Sequence, residues 1–281
     1  MNSDKLNHLI RLKANELSLN VELVYRNYMF ERFLERLSHS KYKDSFIVKG
    51  GYLIGSMIGI ENRVTKDIDA TIRDLKIDKL RLNEIFHTIA DIDLKDDIKF
   101  EYKSIIEIRE KFDYLGYRIS FDALFQKTRI HLKMDLTIGD VIIPDAINYY
   151  HQCMFDERII HLKSYALETV LAEKLESIIT WGISGSRIRD YYDVFILNKI
   201  FSEKLNLGLL RSSLLATSNR RRSLEQVINH KEVLDMIKND KVLETNWLKF
   251  QKMYSYANGI SFSDTLFTIT NLLNVLNINE N

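Results

Sequence analysis

FIVKGGYLIGSMIGIENRVTKDIDATI, residues 46–72, holds a short apolar run, a glycine pair and an acidic alternation in one stretch. Phe46, Ile47 and Val48 predict a short strand that turns through Gly50 and Gly51 into a small apolar helix. After it, Ile68, Ala70 and Ile72 alternate with Asp67, Asp69 and Thr71, the period of a half-buried strand. Carboxylates two residues apart on a strand point the same way, roughly 6–7 Å apart at the backbone. Like charges that close repel unless a cation or a raised pKa relieves them. Asp67 and Asp69 therefore read as a metal-carboxylate pair. A pair of solvated surface acids is the plainer alternative for either residue alone.

Upstream, Leu6, Leu9, Ile10 and Leu12, then Val21, Val24, Tyr28, Leu34 and Leu37, recur at helical spacing with charges between them. Asn20 is the expected cap of the second helix. Downstream, residues 78–90 predict an amphipathic helix capped by Asp78. From about 98 to 138 the period changes to two, most cleanly over 129–138. There Ile130, Leu132, Met134, Leu136 and Ile138 face one side, and His131, Lys133, Asp135 and Thr137 the other. Asp135 can therefore join Asp67 and Asp69 in an oxygen-rich cradle suited to Mg²⁺. The sole proline, Pro144, falls in the connection that follows.

From about residue 160 the chain reads as helical to its end, without a linker rich in glycine, serine or proline. Residues 164–181, SYALETVLAEKLESIITW, give an apolar stripe of Leu167, Val170, Leu171, Leu175, Ile178 and Ile179, with Ser164 as possible cap. Lys174 falls inside that stripe, so it either snorkels out or reaches an anionic partner. Around Arg187–Val194, Ile188, Tyr191, Tyr192 and Phe195 pack at helical spacing, and periodicity alone leaves Asp190 on a wet face. Helices are expected over Leu205–Leu215, Val227–Ile237, Trp247–Tyr256 and Phe262–Val275. Arg220–Arg222 is the only dense basic run, read as a solvated helix start or as a contact for an RNA backbone. Trp247, Phe250, Tyr254 and Tyr256 read as core or interface residues before base-stacking ones.

The 281 residues carry 40 lysines and arginines against 39 aspartates and glutamates, so no global field selects a polyanion or a membrane. One cysteine, Cys153, excludes an internal disulfide and a multi-cysteine zinc site. No apolar run approaches membrane-spanning length and the N-terminus lacks a signal-peptide core, so a soluble, cytoplasmic protein without a membrane partner is expected.

The ordered series KGGYLIGSMIGIENRVTKDID, KMD, ETVLAEKL and RIRDYYDV resembles the AbiEii/AbiGii toxin family of nucleotidyltransferases over roughly residues 20–200. That family shares the fold of DNA polymerase β-type minimal nucleotidyltransferases. The resemblance implies an α+β protein: a core over 1–160 with a mixed sheet flanked by helices, and a helical domain over 161–281 that completes the site with Lys174 and Asp190. It implies Gly50 and Gly51 at the nucleotide phosphates, Asp67 and Asp69 as metal ligands, and Arg63 and Thr65 as the polar positions before them. Lys133 and Asp135 match the second motif, with Asp135 as third carboxylate. Lys174, beside Glu173, would contact the triphosphate. Asp190, with Asp193 close behind, matches the fourth motif, and for Asp190 the warrant is the resemblance alone. The family usually carries threonine after the glycine pair, where this chain has Tyr52.

The implied reaction is Mg²⁺-dependent. An acceptor hydroxyl, oriented by Asp135, attacks the α-phosphate of a nucleoside triphosphate and expels pyrophosphate. The implied setting is a bacterial toxin–antitoxin or phage abortive-infection module, with tRNA or another RNA as acceptor and a cognate antitoxin as partner. Two rival readings use the same residues: a metal-dependent nuclease, and an inactive module that only binds another protein.

Overall fold

In the computed structural model, which describes residues 3–110, 114–184 and 187–278, the chain forms two compact units. One comprises residues 1–139 and 147–164, the other 140–146 and 165–281.

The first unit opens with α1 (Ser3–Glu16) and α2 (Val21–His39), followed by β1 (Phe46–Lys49) and α3 (Gly50–Ile58). Next come β2 (Ile68–Ile72), α4 (Lys79–Ala90), β3 (Ile98–Glu110), β4 (Tyr114–Phe125) and β5 (Thr128–Ile138). It closes with β6 (Ile147–Gln152) and β7 (Ile159–Ser164). The seven strands make one sheet in the order β3-β4-β5-β2-β1-β7-β6. Two pairings at its centre are parallel, β2 with β5 and β1 with β7, and the others are antiparallel.

Local chemistry explains the main boundaries. Asn20 caps α2 by accepting from the Glu22 N–H, and Asp78 caps α4 by accepting from the Arg81 N–H. The alternation of β5 is realised, with Ile130, Leu132, Met134 and Leu136 buried and His131 and Lys133 exposed. Phe33 of α2 anchors the core: its ring lies 4.8 Å from Phe121, 5.2 Å from Phe100 and 5.7 Å from Phe86. Full burial of such a side chain contributes about 1.5–3 kcal/mol.

The charges on α2, which its sequence spacing puts between apolar positions, are buried as well. Glu31, Arg32, Glu35 and Arg36 are all buried. Arg36 holds Asp96 with a two-pronged contact of 2.6 and 2.9 Å and donates to the Ile98 carbonyl. Glu31 accepts from the Met154 N–H at 2.7 Å, and Glu35 pairs with Arg158 at 2.7 Å. Each buried charge thus has a partner, as low-dielectric surroundings require. The network ties α2 to the segments flanking β3 and β7.

The second unit contains α5 (Leu167–Trp181), α6 (Ile188–Phe201), α7 (Leu207–Arg220), α8 (Leu224–Ile228), α9 (His230–Lys238), α10 (Lys241–Met253) and α11 (Phe262–Val275). An aromatic cluster of Tyr192, Trp247, Phe250, Tyr254 and Tyr256 joins α6 to α10 and the turn after it. Residues 140–146, with a cis Ile143–Pro144 bond, belong to this unit. The Ile143 carbonyl accepts from the hydroxyls of Thr169 and Ser213.

Five local expectations change. The helical reading from about 160 gives way to β7, whose Ile160, Leu162 and Ser164 are buried in alternation. Ser164 is therefore the last strand residue, paired with Val48, and Ala166 takes the cap position of α5. Gly50 and Gly51 open α3 directly instead of forming a separate turn. The run expected as one helix over Val227–Ile237 breaks at Asn229 into α8 and α9, and Arg220–Arg222 ends α7 instead of starting a helix.

Candidate active site

The register of three strands assembles the acids of the sheet unit. Asp69 on β2 lies opposite Asp135 on the parallel β5 and opposite Lys49 on β1. Asp67 immediately precedes β2, and its Oδ1 accepts from the Thr65 hydroxyl at 3.0 Å.

The first turn of α3 presses against Asp69. Gly50 has a φ of +63°, and a Cβ there would stand 2.1 Å from the Asp69 Oδ2. Both the left-handed backbone and the close approach demand glycine. The Gly51 N–H donates to the same Oδ2 at 3.3 Å. A Cβ on Gly51 would meet the Arg63 guanidinium and the Thr65 hydroxyl at 3.0 Å. Arg63 itself is 3% exposed and donates to the Val64 carbonyl at 2.6 Å, bracing the segment that presents Thr65 and Asp67. The amides at the start of α3 also carry the positive end of the helix dipole, which favours an anion there.

Asp135 brings in a residue the motifs did not single out. Arg118 on β4 lies opposite it in register and grips both carboxylate oxygens, Nε to Oδ1 at 2.7 Å and Nη2 to Oδ2 at 2.6 Å. The hydrogen bond to Asp135 raises the Arg118 pKa, and the charges of Asp135, Asp67 and Asp69 add to it. The alternation of Tyr117–Phe121 marks Arg118 as polar, but only strand register reveals its partner. Arg118 lines a cleft of about 530 Å³ together with Asp67, Lys66, His131, Lys133 and Arg26. Lys133 is exposed on the same strand as Asp135.

The donor chemistry suits a hard divalent cation, since Asp67, Asp69 and Asp135 offer only carboxylate oxygens. As they stand, no three acidic, histidine or cysteine groups among the described residues are close enough together to hold one ion. Asp135 is turned to Arg118, Asp67 to Thr65, and Asp69 to the Gly51 amide.

In the helical unit, Lys174 lies inside the apolar stripe of α5 and its ammonium reaches carboxylates of α6. Nζ is 2.5 Å from the Asp190 Oδ1 and 3.1 Å from the Asp193 Oδ2. Asp190 and Asp193 are 3% and 0% exposed, so the wet face expected for them is buried. The Asp190 Oδ2 is buried without a hydrogen bond, with the Arg187 Nε 3.9 Å away. Glu173 is held by Arg221 at 2.7 Å, and the same guanidinium bonds Glu176 at 2.7 Å. Arg221, the middle of the basic run, is thus an internal tie of this unit, with its pKa raised by those two carboxylates against the effect of burial.

Tyr52, which departs from the family pattern, is 2% exposed with its ring edge-on to Phe30 at 5.9 Å and 6.0 Å from His151. Burial pushes its phenol pKa well above the usual value, so it packs as a neutral core residue.

With this geometry in view, comparison with known proteins is decisive. The family model described as "Nucleotidyl transferase AbiEii toxin, Type IV TA system" matches residues 32–267. This chain belongs to the AbiEii nucleotidyltransferase toxin family. The match extends well past the region of motif resemblance, through most of the helical unit. A crystal structure of a candidate nucleotidyltransferase from H. pylori superposes with a TM-score of 0.53 at 15% identity, covering 92% of this chain and 96% of that one. JHP933 from Helicobacter pylori gives a TM-score of 0.52 at 15% identity, covering 92% and 93%. At that identity the two structures support the fold alone. No curated protein matches the chain. AbiEii membership makes the protein a nucleotidyltransferase toxin with a nucleoside triphosphate as substrate and an antitoxin as counterpart. Among the described residues, no helix is long and apolar enough to cross a membrane.

Proposed function

We propose that this AbiEii protein transfers a nucleoside monophosphate from a nucleoside triphosphate to the hydroxyl of an RNA end, with tRNA as the first acceptor to test. Asp67, Asp69 and Asp135 serve as ligands for Mg²⁺. The observation that carries this reading is the juxtaposition of Asp69 and Asp135 on paired strands, directly beside the glycine-opened N-terminus of α3. When bound, Mg²⁺ would neutralise phosphate charge and polarise the α-phosphate for attack.

The protein groups divide the remaining tasks. The first turn of α3 offers amides and a positive helix end to the triphosphate, and Gly50 and Gly51 keep that approach free of side chains. Thr65 and Arg63 fix the loop that presents Asp67. Asp135 accepts or orients the proton of the incoming hydroxyl. Lys133 and its basic neighbours in the cleft attract the acceptor's phosphodiester backbone. Lys174 and Asp190 enter as triphosphate-directed and motif residues on the strength of the family resemblance. The same reading puts the protein in the cytoplasm of a bacterium, as the toxic half of a phage-defence module whose antitoxin is encoded with it.

The test is incubation of purified protein with total RNA and each α-labelled nucleoside triphosphate in turn, with and without Mg²⁺. An Asp67→Asn/Asp69→Asn double variant serves as control. Label joined to RNA by the wild type, dependent on Mg²⁺ and absent in the variant, is the expected result. RNA shortened without any triphosphate would support a nuclease instead. No reaction with any nucleotide, acceptor or metal would leave only a binding role.

A further inference from the structure

We propose that Arg118 is the resident counter-cation of Asp135, and that Asp135 joins Asp67 and Asp69 on one divalent ion only when the Arg118 fork lets it turn. The inference rests on the metal-site reading above and goes beyond it, since neither the motifs nor the family match points to Arg118.

The geometry carries the case. A guanidinium fork takes one lone pair on each carboxylate oxygen and fixes the plane of the group, and here the two contacts are 2.7 and 2.6 Å. Held in that plane, Asp135 does not converge with Asp67 and Asp69 on one ion position. This accounts for a donor set of the right chemistry that does not converge among the described residues. Arg118 is also well placed to leave. Its side chain is 35% exposed at the wall of the cleft, against 16% for Asp135, so release needs no repacking of the core.

Two cations compete for the Asp135 carboxylate. The monovalent guanidinium holds Asp135 while no ion is bound and offsets its charge opposite Asp69. A divalent ion arriving with a triphosphate offers twice the charge, and the phosphates in turn offer new acceptors to the freed fork. Arg118 would then be a positioning residue that sets the threshold for metal loading. It also explains why the strand opposite Asp135 carries an arginine where alternation alone would accept any polar residue.

The experiment is titration of the full-length protein with Mn²⁺, followed by calorimetry and by the Mn²⁺ paramagnetic resonance signal, for wild type, Arg118→Gln and Arg118→Lys. Thermal melts confirm that each variant is folded. Removing one positive charge within a few ångströms should tighten Mn²⁺ binding by on the order of tenfold in Arg118→Gln. Arg118→Lys, which keeps the charge and loses the fork, should fall between it and wild type. The gain should vanish when Asp69→Asn is added. Unchanged or weaker Mn²⁺ binding in both variants would overturn the proposal, and would mean that Arg118 only orients Asp135. A Mn²⁺-soaked crystal that keeps the Arg118 fork on Asp135 beside a bound ion would overturn it as well. The readout is separate from transfer activity. An active wild type with no change in Mn²⁺ affinity sinks this inference alone, whereas tighter Mn²⁺ binding without any transfer leaves it standing and sinks the catalytic reading.

Discussion

Asp135 is gripped by Arg118 and Asp190 by Lys174, with Arg187 farther off, yet the two pairs belong to different physical classes. Arg118 lines a cleft and holds Asp135 beside it, with 35% and 16% of the two side chains exposed. The Lys174–Asp190 pair is 16% and 4% exposed and shares its ammonium with the wholly buried Asp193. Water can compete for the first pair and hardly for the second. An acid meant to exchange partners belongs at a rim. An acid that closes a helix–helix contact belongs inside, where leaving it unpaired is costly. The exposed pair of the sheet unit can exchange partners at little cost to the fold, whereas the buried pair of the helical unit adds stability whatever else Lys174 contacts.

The sharpest way to break that comparison is to remove Lys174. Lys174→Met strips the ammonium from Asp190, whose other oxygen already lacks a hydrogen bond, and should lower unfolding free energy by about 3–5 kcal/mol. Urea denaturation measures it, and unaltered stability would show that Lys174 is held for a ligand and not for the fold. Next in size is Gly50→Ala. The residue sits at φ +63°, and its new Cβ would overlap the Asp69 carboxylate, so about 1–3 kcal/mol of strain is expected along with slower transfer. Urea denaturation and a transfer assay on the same preparation separate the two effects. The smallest effect should come from Arg118→Gln, with a stability change of about 0–1 kcal/mol as for exposed ion pairs. A loss as large as that of Lys174→Met would erase the distinction between the two pairs.

Much of the sheet unit was legible because period-two alternation survives folding unchanged. The strands β2 and β5, the caps at Asn20 and Asp78, and the polar placement of Asp67, Asp69 and Asp135 all follow from spacing. What stayed hidden depends on partners distant in sequence. The Arg118–Asp135 fork requires the register of β4 on β5, and the burial of Glu31, Arg32, Glu35 and Arg36 requires segments more than fifty residues away. Charged side chains read as solvent-facing until their counter-charges are known, which is also why Asp190 looked wet. β7 is a different kind of miss. IIHLKS alternates visibly, but the helical run beginning a few residues later drew the boundary toward itself. Tyr52 breaks the motif at a position where the structure asks for core packing, so the departure leaves the acids untouched.

The central claim is that Asp69 serves chemistry and not the fold, and Asp69→Asn tests it most directly when stability and transfer are measured on one preparation. An asparagine keeps an oxygen for the Gly51 amide and removes a charge from the crowded site, so unfolding free energy should stay within about 0.5 kcal/mol of wild type. Transfer of labelled nucleotide should fall by about a thousandfold. Transfer that persists in a folded Asp69→Asn protein, or a loss of stability large enough to explain the loss of transfer, would contradict it.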